Sequence, residues 1–251
     1  MNDAFTNMAV DEAIVAARIE DSVPNTLRLY RWNPSAVSVG RFQDITNEVQ
    51  VGNCRQKGIE IVRRITGGGT VYHDSQKEIT YSVVAREKDF GTTDVICAYN
   101  KICSGIIEAA KILGVNANFN PGNPRNCPTV AIDGKKISGS AQYHKSGVLL
   151  QHGTFLLDVE LESMFTFLRV PWARNISDVV CVARDKITSI EKELDHRIAP
   201  KEAAEALING FQKALSIEFQ QGALTDTEQA LASKLRSEKY TKDAWNLKGK
   251  A

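Results

Sequence analysis

No stretch of this chain approaches the ~20 consecutive apolar residues that cross a bilayer. The opening Met-Asn-Asp-Ala-Phe-Thr carries neither the basic nor the apolar region of a signal peptide. Charge of one sign is missing too: 31 Lys and Arg against 30 Asp and Glu leave a formal net charge of +1. No general field toward nucleic acid or a membrane follows, and neither is expected as a partner. Cysteine is sparse, five residues with no close pair at metal-ligand spacing, so a reducing compartment is expected and a metal site is not. The expected address is the cytoplasm. The two common phosphate loops are absent as well: no Gly-Lys-Ser/Thr follows four spacers, and no Gly-x-Gly-x-x-Gly opens a helix.

What is present is ordinary in bulk, with 43% hydrophobic and 24% charged residues in 251, enough to bury a proper core. Apolar spacing predicts helices over 5–19, 93–113, 160–168 and 200–215. Thr225-Asp-Thr-Glu228 reads as a capping box opening a last helix that fades near Arg236. Short β-rich runs at 26–32, 36–39, 58–64, 70–73 and 79–85 predict strands. After a breaker-rich loop over 116–128, hairpins are expected. Residues 129–132 and 135–142 flank Asp133-Gly134, Ser146-Gly147 marks another turn, and 148–150, 153–158 and 217–219 complete the set. The fold class read from this order is α+β, a mostly antiparallel mixed β-sheet with helices packed on it. No repeat, low-complexity stretch or linker divides the chain, and 1–251 is expected to be a single domain.

The most informative segment is Arg-Arg-Ile-Thr-Gly-Gly-Gly-Thr-Val-Tyr-His-Asp, residues 63–74. Three glycines in a row are costly to order, and they let backbone N–H groups approach a ligand closely. Two arginines precede them, and a guanidinium fork binds carboxylate or phosphate. An anion-binding loop is predicted, the alternative being a tight hairpin with solvated arginines. A second segment, Gly-Lys-Lys-Ile-Ser-Gly-Ser-Ala-Gln over 134–142, places Lys135 and Lys136 on opposite faces of a strand beside small residues. The inward one would stabilise developing negative charge. His73 and His152 lie in strands among small residues, suited to hydrogen-bonding a ligand or to the core. Cys127, in the Pro-rich loop just upstream, is a candidate nucleophile because neighbouring cations make a thiol reactive. Cys54, Cys97, Cys103 and Cys181 read as structural.

Taken together, residues 63–74, 134–142 and Gln-His-Gly-Thr-Phe-Leu-Leu at 151–157 resemble the lipoate–protein ligase family. That family shares its catalytic domain with biotin protein ligases and lipoyl/octanoyl transferases. Asn7–Ala13, Ser38–Gln43 and Lys239–Asn246 extend the resemblance over nearly the whole chain, in matching order. It implies a biotin/lipoate ligase-like fold and a two-step reaction. Lipoate and ATP, with Mg²⁺, give lipoyl-adenylate; lipoyl then passes to a lysine on a lipoyl domain of a 2-oxoacid dehydrogenase or on a glycine-cleavage H protein. No tightly bound cofactor is implied.

The resemblance puts the catalytic role on Lys136, at the reacting carbonyl. It wraps the acyl-adenylate with Arg64, Thr66, Gly67, Gly68 and Gly69. Val71, His73, Asn126, Gly139, Ala141, His152 and Thr154 then fall on pocket positions. Two departures stand out. Where ligases carry Asn-Asp, this chain has Asn126-Cys127, losing a carboxylate that helps hold magnesium and gaining a thiol. The sequence also stops where many ligases continue into an accessory domain, so a separate accessory subunit is an expected partner. An ATP-dependent lipoate–protein ligase is the first reading. Two alternatives stay open: an octanoyl or lipoyl transferase that works from acyl carrier protein through Cys127, and a non-catalytic paralogue that binds lipoyl-adenylate or lipoyl domains.

Overall fold

Turn chemistry and strand alternation divide the chain between two sheets, described over residues 1–92, 94–123 and 127–249 in a computed structural model. The strands are β1 (Thr26–Tyr30), β2 (Ala36–Val39), β3 (Glu60–Arg63), β4 (Val71–His73), β5 (Glu78–Arg86), β6 (Asn118–Asn120), β7 (Thr129–Ile132), β8 (Lys135–Lys145) and β9 (Val148–Leu156). The larger sheet runs β1-β5-β9-β8-β7-β6, with every neighbouring pair antiparallel. The smaller runs β3-β2-β4, with β2 parallel to β3 and antiparallel to β4. The mostly antiparallel α+β architecture is the expected one.

Asp133 and Gly134, at φ 47° and 80°, and Ser146 and Gly147, at φ 51° and 72°, are the left-handed pairs that a two-residue hairpin requires. They join β7 to β8 and β8 to β9. The break expected between 150 and 153 does not occur, because Gly153 is a packing glycine rather than a turn glycine. A Cβ there would stand 2.5 Å from the Gly139 carbonyl oxygen, so β9 runs straight through it. The glycine triplet is not a hairpin either. The strands on its two sides never pair with each other; both pair with β2, and the loop crosses over the end of that strand.

Helices α1 (Ala4–Ile19), α2 (Ile45–Glu48), α3 (Val51–Gln56), α4 (Val95–Ile112), α5 (Leu161–Phe167), α6 (Ile176–Ala183), α7 (Ile190–Leu194), α8 (Pro200–Leu215), α9 (Asp226–Leu235) and α10 (Asp243–Asn246) cover the sheets. One face of the large sheet, with Ile79, Tyr81, Leu149 and Phe155, packs on α4 and α8. Those helices touch through glycine: a Cβ at Gly210 would lie 2.5 Å from Ala109 N and Gly105 O. The other face, with Val84, Val148 and Leu150, packs on α1 alongside Ala232, Tyr240 and Trp245. The capping box at Thr225 and Glu228 forms as expected.

Residues 217–219, expected as a strand, join neither sheet, and Ile217 is exposed. The sequence had given no sign of α6 or α7, which span 8 and 5 residues and are too short for a periodicity to register.

Candidate active site

The two strand periods put chemistry on one side of the large sheet. In β9, His152 and Thr154 alternate with core residues and sit level with Ser82 and Thr80 of β5, while Ala141 of β8 stands opposite His152. Thr80, Ala141, His152 and Thr154 floor a cavity of about 640 Å³ whose roof is the glycine loop. Gly68, Gly69, Val71 and His73 line it from the small sheet. Cys127, Lys136 and Gly139 line its polar end, together with Lys186, which the sequence had not suggested. Met8, Tyr30 and Trp32 line it as well. Thr66 and Gly67 are not on the wall, Thr66 lying fully buried behind it. Asn126 lies outside the described residues. Cys97 and Cys181, read as structural, are exposed; Cys54 and Cys103 are buried.

Lys136 is held on both edges of its strand. Its N–H donates to the Lys186 carbonyl at 2.8 Å, and its own carbonyl accepts from Thr188 N at 3.0 Å. Opposite, the β7 register slips between Val130 and Ala131, so that Ala131 faces Lys136 and Val130 faces Ser138. This bulge swallows Ile137 into the core and leaves Lys135 and Lys136 alternating as expected, with Lys136, not Lys135, on the cavity wall. The Lys136 side chain then runs over Gly139, where a Cβ would come within 2.5 Å of Nζ. Burial pulls the Lys136 ammonium below its usual pKa; the neighbouring Cys127 opposes that shift and Arg64 adds to it.

The two arginines divide the work between the loops. Arg64 spends every N–H inside the protein. Nε donates to Thr66 Oγ1 at 3.0 Å, Nη1 to the Ser38 carbonyl and hydroxyl at 3.0 Å each, and Nη2 to the Gly67 and Gly69 carbonyls at 2.8 and 2.6 Å. Burial pushes this guanidinium down to about 10, still charged at neutral pH. Arg63 turns the other way. Its Nη1 donates to the Gly40 and Gln43 carbonyls, each at 2.8 Å, and its Nε to the Trp245 carbonyl at 3.1 Å. It therefore ties the C-terminal α10 to the Gly40–Gln43 turn.

Gly40 permits that turn to touch the glycine loop, since a Cβ on it would fall 2.1 Å from Gly68 O. Gly68 is the one member of the triplet at positive φ, 85°. A Cβ on it would meet Arg64 Nη2 at 3.2 Å and Cys127 Sγ at 3.7 Å. With the carbonyls of 67 and 69 drawn to Arg64, the N–H groups of Gly67, Gly68 and Gly69 have no acceptor among the described residues.

Sequence reasoning missed the groups behind these. His152 Nδ1 is 3.1 Å from Asp11 Oδ2 and its Nε2 is 2.8 Å from Thr66 Oγ1. His73 Nδ1 is 2.7 Å from Glu78 Oε1 and its Nε2 is 2.8 Å from Ser38 Oγ. Asp11, Ser38 and Glu78 are all buried. A signal existed: Asp11 interrupts the apolar stripe of α1, and Glu78, Thr80 and Ser82 alternate with apolar residues along a strand buried on both faces.

Known proteins resemble this chain in sequence and fold. The family model described as the lipoyl protein ligase A/B catalytic domain matches residues 3–212. Octanoyltransferase LipM of Brevibacillus brevis is 35% identical over 96% of this chain and 94% of its own length. LipM of Symbiobacterium thermophilum is 37% identical over 96% and 93%. Among solved structures, a bipartite lipoate protein ligase from Thermoplasma acidophilum, described with its E2 lipoyl domain, superposes with a TM-score of 0.85. It is 28% identical, over 98% of this chain and 94% of that one. A lipoate-protein ligase A bound with ATP gives 0.83 at 27% identity, over 98% and 96%. By its family match, its close relatives and its fold, the chain belongs to the lipoyl protein ligase A/B catalytic-domain family.

Proposed function

We propose that the chain is an octanoyltransferase that takes an octanoyl group from acyl carrier protein onto Cys127 and passes it to a lysine of a lipoyl domain or H protein. The observation that carries this is the Cys127 thiol on the cavity wall with Lys136 and against Gly68. The relatives of about 35% identity, named octanoyltransferases, support the same reading. It reverses the order in which the sequence placed ligase and transferase.

The reaction needs two acyl exchanges. The Cys127 sulfur attacks the carrier's thioester carbonyl, and its proton passes to the Lys136 amine. The C–S bond to the carrier breaks, and the carrier thiol leaves with that proton. The acceptor's lysine amine then attacks the Cys127 thioester, an amide forms, and the thiol is regenerated with the amine's proton. A lysine with a lowered pKa, beside a thiol, trades one proton in both directions. Each tetrahedral oxyanion accepts from N–H groups of the glycine loop, which have no acceptor among the described residues, and from the Lys136 ammonium.

Mg²⁺-ATP fits this cavity poorly. Magnesium is usually held through one or two carboxylates plus substrate phosphates. No Asp or Glu is among the described lining residues, and the three residues before Cys127 are Pro, Arg and Asn. No step is therefore routed through a nucleotide.

Intact-protein mass spectrometry tests the reading. With octanoyl–acyl carrier protein, wild type is expected to gain one octanoyl adduct that Cys127→Ser lacks. ATP-dependent lipoylation of a lipoyl domain that survives Cys127→Ser would establish the ligase instead.

A further inference from the structure

The five N–H groups of Arg64 fix more than a loop; they fix the direction of two hydrogen-bond chains. Arg64 Nε–H points at Thr66 Oγ1, so the Thr66 proton must go elsewhere, and the acceptor 2.8 Å away is His152 Nε2. His152 then carries its proton on Nδ1, where Asp11 Oδ2 accepts it at 3.1 Å. The second chain obeys the same logic. Arg64 Nη1–H points at Ser38 Oγ, Ser38 donates to His73 Nε2, and His73 Nδ1–H donates to Glu78 Oε1 at 2.7 Å. A doubly protonated histidine in either chain would leave a buried hydroxyl proton without an acceptor, next to an arginine.

Both carboxylates are themselves fixed. Asp11 accepts from Arg28 at 2.8 Å and from the Tyr30 hydroxyl at 3.0 Å. Glu78 accepts from Thr80 at 2.9 Å, and Thr80 in turn accepts from Trp32 Nε1 at 2.8 Å. Trp32 stacks on His73 with ring centroids 4.0 Å apart. Neither Asp11 nor Glu78 lines the cavity.

We propose that Asp11 and Glu78 are positioning residues. Through His152–Thr66 and His73–Ser38 they hold Arg64 onto the Gly67 and Gly69 carbonyls and so keep the loop's N–H groups turned to the acyl oxyanion. Only the last clause rests on the acyl-transfer reading; the chains themselves do not. One carboxylate acts from α1 and the other from β5, so the roof of the cavity is held from both layers that flank it. Losing either carboxylate releases one histidine, one hydroxyl and one side of the guanidinium. Arg64 then becomes free to turn, and the glycine carbonyls with it.

The test has two readouts on the full chain. Long-range ¹H–¹⁵N spectra of histidine-labelled protein at neutral pH report which imidazole nitrogen bears the proton. The expected result is the Nδ1–H tautomer for both His73 and His152. An Nε2–H or doubly protonated ring at either position overturns the proposal. Thioester loading kinetics supply the second readout. Thr66→Val is expected to lower the maximal loading rate about 100-fold with the half-saturating carrier concentration within about threefold, and Thr66→Ser to restore it. Asp11→Asn is expected to lose about tenfold or more in rate and to give His152 a mixed tautomer. Wild-type rates in Thr66→Val and Asp11→Asn, or no rescue by serine, overturn the positioning role. If Asp11→Asn does not fold, the wild-type tautomers and the threonine pair still decide. A protein that shows both Nδ1–H tautomers yet forms no thioester overturns the transferase reading and keeps the chains.

Discussion

Replacing Gly139 by alanine should separate rate from stability at this site. The new Cβ would stand 2.5 Å from Lys136 Nζ and 2.6 Å from Cε, with no other atom within 4 Å among the described residues beyond its chain neighbours. Ordinary contact needs roughly 3.5 Å, so the ammonium must move by about 1 Å. What moves is the free end of a flexible side chain, and Gly139 is not at positive φ, so the backbone accepts alanine. Alanine gains about 0.4–1 kcal/mol through the unfolded chain, and an off-rotamer lysine costs about 0.5–1.5 kcal/mol. Net stability should stay within about 1 kcal/mol of wild type. A reacting group misplaced by 1 Å costs about 100-fold, or about 2.7 kcal/mol in the barrier. Single-turnover octanoyl loading followed by rapid quench and intact mass measures the rate, and urea unfolding measures the stability. Gly52→Ala is the control, since nothing lies within 4 Å of its Cβ and it sits in α3; it should leave loading unchanged. Loading by Gly139→Ala within about threefold of wild type would refute the role given to the position of Lys136.

Three further outcomes follow from the same geometry. Lys136→Met removes an ammonium that burial disfavours, so loading should vanish while the urea midpoint rises by the equivalent of up to about 1 kcal/mol; a lower midpoint would contradict this. His152 is held below its ordinary pKa by burial, against the pull of Asp11. Between that ordinary value, about 6.5, and the lower folded value, the unfolded chain therefore binds a proton that the folded chain refuses. Stability should fall as pH drops through this window, and His152→Gln should flatten the slope of urea midpoint against pH; equal slopes would dismiss the assignment. Gly210→Ala places a Cβ 2.5 Å from the backbone of α4, where nothing flexible can yield, and should cost about 1–3 kcal/mol by urea unfolding with loading kinetics unchanged.

What the sequence made legible was local. Asp133-Gly134 and Ser146-Gly147 announced their hairpins because left-handed turn geometry selects those residue types within two positions. The α1 stripe and the Thr225 capping box were readable for the same reason. The glycine loop and Lys136 were visible as a concentration of small and cationic residues, and both line the cavity or roof it. Partner choice was not legible. Nothing near residue 66 says that its hydroxyl faces His152, 86 positions away, or that Arg63 waits for Trp245. Gly153 read as a break because a glycine's reason, here the approach of Gly139 O, lies on another strand.

The arginine most exposed to misreading is Arg64. From sequence, a guanidinium before three glycines is a fork for an anionic ligand. In the fold its five donors are all taken, so a ligand phosphate would have to break one of these buried bonds to reach it. A thioester asks less of this wall than an adenylate does. Its carbonyl needs one oxyanion site, which N–H groups of the loop and one ammonium can form, whereas an adenylate adds a phosphate and, with it, a metal. A carboxylate at position 127 would help hold that metal; on the proposed reading, a thiol there makes the covalent link itself. On that reading, the choice between the two chemistries on this scaffold turns on one side chain at the cavity wall and on whether Arg64 has a donor to spare.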